Sequence, residues 1–349
     1  MKILRTNKSG TVDISRMIGT VKWSGDYKSV ARSLEFEMAC SATDESIPKV
    51  SVELGDKIAF YADAQLFDGF VFCITKGSAD KTLSVKCYDR GVYLGNNQGY
   101  YKFANAAPEE ITAQVAGDFG IPCGEIAATG YRLTRNFMGV ALYQIIATAY
   151  TMAAGQTGMK YHVGFDLDRL TVREKKQDAE TLVIRGGSNL LTCEVTETIE
   201  SMVNRVLILD DSYSVQSELE NSEDVANYGL IQHVIQASES AQTQAQAVLD
   251  DGGPAQKITL ECIGDTRSIT GRMVAVYEPH TGVWGLFWID SDVHTWHNGV
   301  YTNKLVVNLK NVMNEVSAGT EAASGSGTAT KTGGAATESK GTWAYYREE

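Results

Sequence analysis

The sequence has 349 residues and contains no long apolar segment. Its most apolar stretch, residues 283–289, is far shorter than the roughly 20 residues that a membrane-spanning helix needs. Residues 1–8 become polar too early for the apolar core of a secretory signal. We therefore expect neither an export signal nor a membrane anchor.

Disulfide patterns are also missing. The six cysteines are widely and irregularly spaced, and none belongs to a CxxC pair. Some lie in apolar runs, as Cys73 does between Phe72 and Ile74. Free, buried thiols in a reducing cytoplasm are therefore expected rather than a disulfide framework.

Basic residues are too few for a surface that grips nucleic acid. The chain has 31 Lys and Arg against 43 Asp and Glu, with a net charge of −12 and a pI of about 5.0. Tight binding would instead need clustered cations that displace counterions from the phosphates. The charge leaves open that DNA passes along an acidic wall without being bound.

Common catalytic motifs are absent: there is no GxSxG, HExxH, Walker loop or GxGxxG before a helix. Asp166 and Asp168 could share a strand face, within the roughly 5 to 9.5 Å that separates a glycosidase pair. However, Asp168 and Arg169 fit a hairpin turn better, and no aromatic-lined cleft is indicated. We therefore expect no catalytic residue and no enzymatic activity.

His294 and His297 form an HxxH pattern, with Asp290 and Asp292 just upstream. On a helix the two histidines could share a metal ion. The surrounding residues instead indicate a hairpin, and in a strand residues three apart face opposite sides. The prediction is a turn with exposed polar groups, without a metal or any other cofactor.

Hydrophobic patterns divide the chain into four parts. Residues 1–103 hold short strands in which apolar and polar residues alternate. Residues 104–254 mix strands with helices predicted near 108–119, 140–150 and 238–249. Residues 255–313 return to strands, and no tandem sequence repeat is apparent. The expected fold class is α+β, mainly β, with a small antiparallel barrel or sandwich at each end and a mixed α/β insertion between them.

Residues 314–349 form the fourth part and are rich in Gly, Ala, Ser and Thr. Such a segment buries too little apolar area to offset the entropy lost on ordering, so a flexible, disordered tail is expected. It ends with the aromatic residues Trp343, Tyr345 and Tyr346. Because aromatic residues often anchor interfaces, these three are predicted to dock on a partner. The alternatives are an unused end and a strand that folds back on its own domain.

Four segments carry a family pattern through their order and spacing. They are residues 52–58 (VELGDKI), 118–126 (DFGIPCGEI), 201–206 (SMVNRV) and 228–232 (YGLIQ), the last followed by an Ala-rich helix and the strands of 269–277. None is specific alone. Together, over roughly residues 50 to 310, they resemble the baseplate hub proteins of contractile phage tails and of defective-prophage or tailocin particles, the late-control-D-like group.

The resemblance implies two similar β-barrel tube domains in each chain, at residues 1–103 and 255–313. Three chains would form a homotrimeric ring of six barrels that joins a six-fold tail tube protein to a three-fold spike protein, among other baseplate proteins. DNA would pass through the lumen without specific binding. Such a protein would be assembled in the bacterial cytoplasm and would reside in the tail baseplate of a virion or phage-like particle.

Two other classes of function stay open. A tail-associated cell-wall hydrolase or carbohydrate-binding module would depend on Asp166 or Asp168. A host-binding adhesin would need exposed aromatic platforms, and three tryptophans lie in the last β part. Two of them, Trp284 and Trp288, are four residues apart and would share a strand face, where we expect them in the core.

Overall fold

The computed structural model describes residues 1–41, 46, 49–77, 82–177, 181–238 and 240–316. Strands account for 51% of the described residues and helices for 18%, which confirms the prediction of a mainly β fold. The aromatic end of the chain, with Trp343, Tyr345 and Tyr346, lies outside the described residues. In the described part, no helix is long and apolar enough to span a membrane.

The first β module consists of seven strands: β1 (Lys2–Asn7), β2 (Gly10–Asp13), β3 (Ile18–Asp26), β4 (Ser33–Ala39), β5 (Lys57–Tyr61), β6 (Gln65–Lys76) and β7 (Thr82–Tyr88). They pair in the order β3-β4-β7-β6-β5-β1-β2, and every pair is antiparallel. Alternation along the strands builds the core: Leu34, Phe36 and Met38 of β4 are buried, whereas Glu37 between them is exposed.

The α/β unit follows the first module: α1 (Gly91–Asn96), β8 (Gln98–Ala106), α2 (Pro108–Asp118), β9 (Cys123–Ile126), β10 (Leu133–Ala141), α3 (Leu142–Thr157), β11 (Tyr161–Asp166) and β12 (Arg169–Glu174). Helix α2 begins at Pro108 as predicted, and Glu110 accepts a 3.0 Å hydrogen bond from the backbone N–H of Ala107. α2 and α3 pack on the two small sheets of this unit, β8–β10 and β9–β12–β11, around a separate core.

Two strands, β13 (Leu182–Arg185) and β14 (Leu190–Thr198), then lead to a small satellite unit. The satellite unit contains β15 (Arg205–Leu209), β16 (Val215–Glu220), α4 (Ser222–Tyr228), β17 (Gln232–Gln236) and α5 (Ala241–Asp251). β15 lies between β16 and β17. Ala241 and Ala245 of α5 pack against Val206 and Ile208 of β15, so this unit also has its own core.

The second β module is completed by β18 (Ala255–Ile263), β19 (Met273–Glu278), β20 (Val283–His297) and β21 (Val300–Asn308). Its strand order is β14-β18-β21-β20-β19-β13, and only the pair β13–β19 is parallel. A single bridge between Gly186 and Leu190 brings β13 beside β14. Within the described residues no full ladder closes either module, so closed barrels stay a prediction.

The strand pairing divides the insertion predicted at residues 104–254. β13 and β14 lie in that range, yet they hydrogen-bond to β19 and β18 of the second module. The rest of the range forms two separate units, and α1 and the start of β8, predicted in the first domain, belong to the α/β unit. Local alternation marks a strand but does not tell which sheet the strand joins.

The two β modules share one strand order. In the first module β5, β6 and β7 form a meander, β7 pairs with β4, and β4 pairs with β3. In the second module β19, β20 and β21 form a meander, β21 pairs with β18, and β18 pairs with β14. The correspondence is therefore β3 with β14, β4 with β18, β5 with β19, β6 with β20 and β7 with β21. The fourth strand, β6 or β20, is the longest in its module. In both modules its first part pairs with the preceding strand and its second part with the following one.

The residue register repeats as well. The ladders align residues 70–76 of β6 with 288–294 of β20, and residues 18–24 of β3 with 190–196 of β14. The bulges coincide: one falls at Phe72 and Asp290, and another at Gly19 and Leu191. Because bulges fix the register of a strand pair, this agreement defines an internal structural repeat.

The turn before the meander is also repeated. Gly55 and Gly271 both have a φ of +85°, a left-handed conformation that favours glycine. The N–H of Gly55 donates to the carbonyl of Val71 (2.9 Å), and the N–H of Gly271 donates to the carbonyl of Ile289 (3.0 Å). The same turn thus starts the meander in both modules.

Candidate functional site at the junction of the two β modules

Strand β20 joins the two β modules into one sheet. Residues 283–288 pair with β19, whereas residues 291–297 pair with β3 of the first module. β21 runs along the other side of the second part of β20. The second part of β20 is therefore an interior strand with both edges paired, and Asp292 and His294 are buried on one of its faces.

The residues of the HxxH pattern lie on β20, so the prediction of an exposed turn was wrong. The turn comes later, at Asn298 and Gly299, which have positive φ values. His294 and Asp292 are completely buried, and only His297 is exposed. In the described part of the chain, no three His, Cys, Asp or Glu side chains are grouped so as to hold a metal ion.

Asp292 is the centre of a buried polar network. Its carboxylate accepts hydrogen bonds from both terminal nitrogens of Arg32, and from the backbone N–H (2.7 Å) and hydroxyl (2.6 Å) of Thr270. Burial alone would raise the pKa of Asp292, but the Arg32 guanidinium and the hydrogen bond from His294 hold it below its ordinary value. Asp292 therefore stays ionised, and the ion pair links the first module, through Arg32, to the second.

His294 extends this network through both ring nitrogens. Nδ1 lies 2.7 Å from the hydroxyl of Tyr301, and Nε2 lies 3.1 Å from the carbonyl of Ser268 and 3.2 Å from Asp292. Burial raises the pKa of Tyr301, so its hydroxyl keeps its proton. The ring of Trp23 packs on His294 at 4.8 Å between centroids.

Arg32 is held in place from several sides. Its guanidinium lies 4.0 Å from the ring centre of Trp23, a cation–π contact. A Cβ at Gly25 would lie 2.3 Å from Nη1 of Arg32, so only glycine leaves room for this side chain. The backbone N–H of Arg32 donates to Asp89 (3.0 Å), whose pKa burial raises to about 7.

The α/β unit touches the same junction through His162 and Lys175. The His162 ring packs on Gly271, where an added Cβ would lie 2.7 Å from it. Burial and then the charge of Lys175 lower the pKa of His162 to about 3, so the ring is neutral. Lys175 is itself buried, which lowers its pKa to about 8, and its ammonium lies 4.7 Å from the ring centre of Trp288.

Residues 310–316, which follow the last strand, tie the three units together. Lys175 donates to the carbonyl of Val312 (2.6 Å), and Met313 packs in the core of the α/β unit. The amide of Asn314 donates to the carbonyl of Lys28 in the first module (3.0 Å). The end of the second module is thus fixed to both other units.

The candidate carboxylate pair, Asp166 and Asp168, is not brought together in a cleft. Asp166 ends β11 and is exposed, whereas Asp168 lies in the two-residue turn before β12, as its turn prediction required. Asp166 lines a cleft of about 260 Å³ whose walls include Trp23 and Arg173, but Asp168 is not part of that lining. Asp166 and Asp168 therefore do not line one cleft as the two carboxylates of a glycosidase would.

The tryptophans of β20 share a strand face, as predicted, but only Trp288 is buried, so the prediction that both lie in the core was wrong. Trp288 is 7% exposed because Lys175 covers it, whereas Trp284 is 73% exposed and contacts only the edge of Tyr277 among the described rings. All six cysteines are free, as predicted, but Cys73 is exposed, not buried.

The network combines an acid, an imidazole and hydroxyl groups, yet these groups are buried and bonded to the protein. Removing one member of a buried ion pair usually costs about 3–5 kcal/mol, because the other charge is left uncompensated. The geometry therefore suits a rigid connection between modules rather than contact with a substrate. Sequence patterns missed Arg32, Thr270 and Trp23, because no local motif marks them.

Comparisons with known proteins agree with this architecture. A family model described as YqbQ-like matches residues 21–308. The phage-like element PBSX protein XkdQ of Bacillus subtilis (strain 168) is 26% identical over 308 residues, covering 85% of this chain and 94% of that protein. The 43 kDa tail protein of prophage MuSo2 from Shewanella oneidensis has a similar structure, with a TM-score of 0.66 at 13% identity over 88% of this chain and 97% of that one.

A component of the Escherichia coli type VI secretion system, the c3393 protein, also shares the fold. Its TM-score is 0.54 at 9% identity, and the match covers 86% of this chain and 76% of that one. That protein is described as structurally similar to the T4 bacteriophage tail proteins gp27 and gp5.

Proposed function

Because the chain belongs to the YqbQ-like family and is related to phage tail and baseplate proteins, we propose that it is the structural hub of a tail baseplate. In this proposal three copies form a ring that joins a six-fold tail tube to a three-fold spike. The protein acts through its geometry and not as an enzyme. Its place is the tail of a virion or phage-like particle.

The internal repeat of the two β modules carries this proposal. Both modules have the same strand order, the same register and bulges at equivalent positions. Two equivalent modules in each of three chains supply six similar units around a ring while the ring keeps three-fold symmetry. Three chains with one such module each, or with two unrelated modules each, would not supply six similar units to match a six-fold tube.

The buried junction supports the same function. A hub between tube and spike must transmit force without letting its two modules separate. The Arg32–Asp292 ion pair and the shared strand β20 connect the modules by both charge and backbone hydrogen bonds. We infer that this junction fixes the angle between the modules.

The native mass of the purified full chain tests the ring. We expect a species of three chains in native mass spectrometry, and an annular particle in negative-stain images. A protein that stays monomeric at all concentrations, or that forms closed dimers, would contradict the proposal. Particles that attach tube and spike without this protein would also contradict it.

We further propose that Trp343, Tyr345 and Tyr346 dock on the spike or on a neighbouring subunit. Their aromatic character and their position after a segment rich in Gly, Ala, Ser and Thr support this role. A chain that ends at residue 316 should assemble its ring but lose spike attachment, measured by co-purification with the spike. Unchanged attachment would contradict the docking role, and a full chain with Trp343→Ala serves as a second variant.

A further inference from the structure

A ring of six modules needs six contacts between modules, and each chain supplies only one of them. That contact is the junction in which β20 pairs with β3. Three copies therefore supply three contacts within chains, and the other three must form between chains. The surface that makes these contacts can be read from the internal repeat.

Two strand edges are open where such a contact would form. Beyond Val71, β6 pairs only with β7, and in the described residues no strand covers its other edge. Beyond the bridge at Leu190, β14 pairs only with β18. Cys73 and Thr75 of β6 and Thr196 of β14 are exposed. Open edges present backbone donors and acceptors that can pair with another strand.

The internal repeat identifies the two open edges as equivalents of the strands in the internal junction: β6 is equivalent to β20, and β14 is equivalent to β3. We propose that β6 of one copy pairs antiparallel with β14 of the next copy, as β20 pairs with β3 within the chain. This inference rests on the proposed trimeric ring and names the surface that closes it. Every module would then contact its neighbours in the same way.

The internal junction also gives the register. Within the chain, Ser291 lies opposite Asp26 and Asp292 lies opposite Gly25. The matching ladders place residues 73–76 at 291–294 and residues 195–198 at 23–26. The transferred register gives four pairs between copies: Cys73 with Thr198, Ile74 with Glu197, Thr75 with Thr196, and Lys76 with Val195.

The side chains of the two edges are compatible with this register. Thr75 would lie opposite Thr196, a pair that favours strand association. Glu197 would lie diagonal to Lys76, within reach for an attraction between opposite charges. Both charged residues are exposed in the single chain, and neither forms an ion pair with another described residue. Glu197 accepts only an exposed hydrogen bond from Gln256 (3.1 Å).

A disulfide between copies tests the register, because Cys73 is a native, exposed cysteine. Opposite residues in an antiparallel pair have Cα atoms about 4.5 or 5.5 Å apart, within the roughly 4.4–6.8 Å that a disulfide spans. We expect Thr198→Cys in the full chain, after mild oxidation, to give covalent species of two and three chains that a reductant reverses. The measurement is a non-reducing gel beside a native mass spectrum.

Matched controls separate this contact from random oxidation. Cys73→Ser combined with Thr198→Cys should lose the crosslink. Thr192→Cys, an exposed position six residues from Thr198 and about 20 Å along the strand, should give none. Ile74→Cys with Glu197→Cys, in a Cys73→Ser chain, tests the next pair and guards against unfavourable geometry in the first.

The outcomes distinguish this inference from the ring itself. A trimer that forms no crosslink in either pair, or that crosslinks equally well through Thr192→Cys, would overturn the β6–β14 contact and leave the ring standing. A protein without trimers would overturn both. Crosslinks at both predicted pairs, capped at three chains, would support the contact.

Discussion

Strands β6 and β20 occupy equivalent places in the two β modules but carry different side chains. Asp292 and His294 of β20 are buried, whereas the equivalent Ile74 and Lys76 of β6 are half-buried and exposed. The partner of β20 is in the same chain and is always present, so a charged group can be buried against a built-in Arg32. The open edge of β6 is exposed to solvent until another copy binds, and its Lys and Thr side chains limit pairing with wrong partners.

The largest effect expected from this contrast is at Asp292. Asp292→Ala leaves the Arg32 guanidinium without its counterion, and we expect the free energy of unfolding to fall by about 3–5 kcal/mol. Ile74→Ala, at the equivalent place in the first module, should cost less than the roughly 2–5 kcal/mol of a fully buried aliphatic residue, because Ile74 is only half-buried. Urea denaturation of the full chain measures both.

Two further variants complete this comparison. Asp166→Ala removes an exposed carboxylate and should change the free energy of unfolding by no more than about 0.5 kcal/mol. Arg32→Ala combined with Asp292→Ala should cost less than the sum of the single changes, because neither charge is then left alone. If Asp292→Ala were no more harmful than Ile74→Ala, the polar network would not hold the junction.

Much of the secondary structure could be predicted from local patterns, because burial on one face leaves a period of two in strands and a longer period in helices. Strand β4, from the alternation over residues 34–38, and helix α2 were predicted in this way. Local patterns did not show the repeat of the modules, which only the family resemblance implied, because equivalent strands share only their alternation. LEFEM of β4 corresponds to ITLEC of β18, and these segments have no identical residue at an aligned core position.

The junction was hidden from sequence patterns for a different reason. Arg32 and Asp292 are 260 residues apart, and only the pairing of β20 with β3 brings them together. The alternating polar residues after Ile289 looked like a turn, because a local pattern cannot show that β3 of the first module pairs with them. Tertiary pairing on both sides made this segment a strand despite its polarity.

A smaller effect is expected at the repeated turn, where Gly55 and Gly271 share one backbone conformation. Alanine at a positive φ costs about 1–2 kcal/mol, so both Gly55→Ala and Gly271→Ala should be destabilising by this amount. A Cβ at Gly55 meets no atom within 4 Å, whereas a Cβ at Gly271 would lie 2.7 Å from the His162 ring. Overpacking of this kind adds roughly 1–3 kcal/mol, so Gly271→Ala should be the worse of the two.

His162 supplies the control that isolates this difference. In a His162→Ala chain the crowding at residue 271 is removed, so Gly271→Ala should then cost no more than Gly55→Ala does, again measured by urea denaturation. An excess cost that persists without the imidazole would mean that the two turns differ in backbone strain, and that the repeat is less exact than its register indicates. Equal losses of stability for Gly55→Ala and Gly271→Ala in this chain would show that the two turns have the same backbone strain. The difference between them in the native chain would then come only from His162 of the α/β unit.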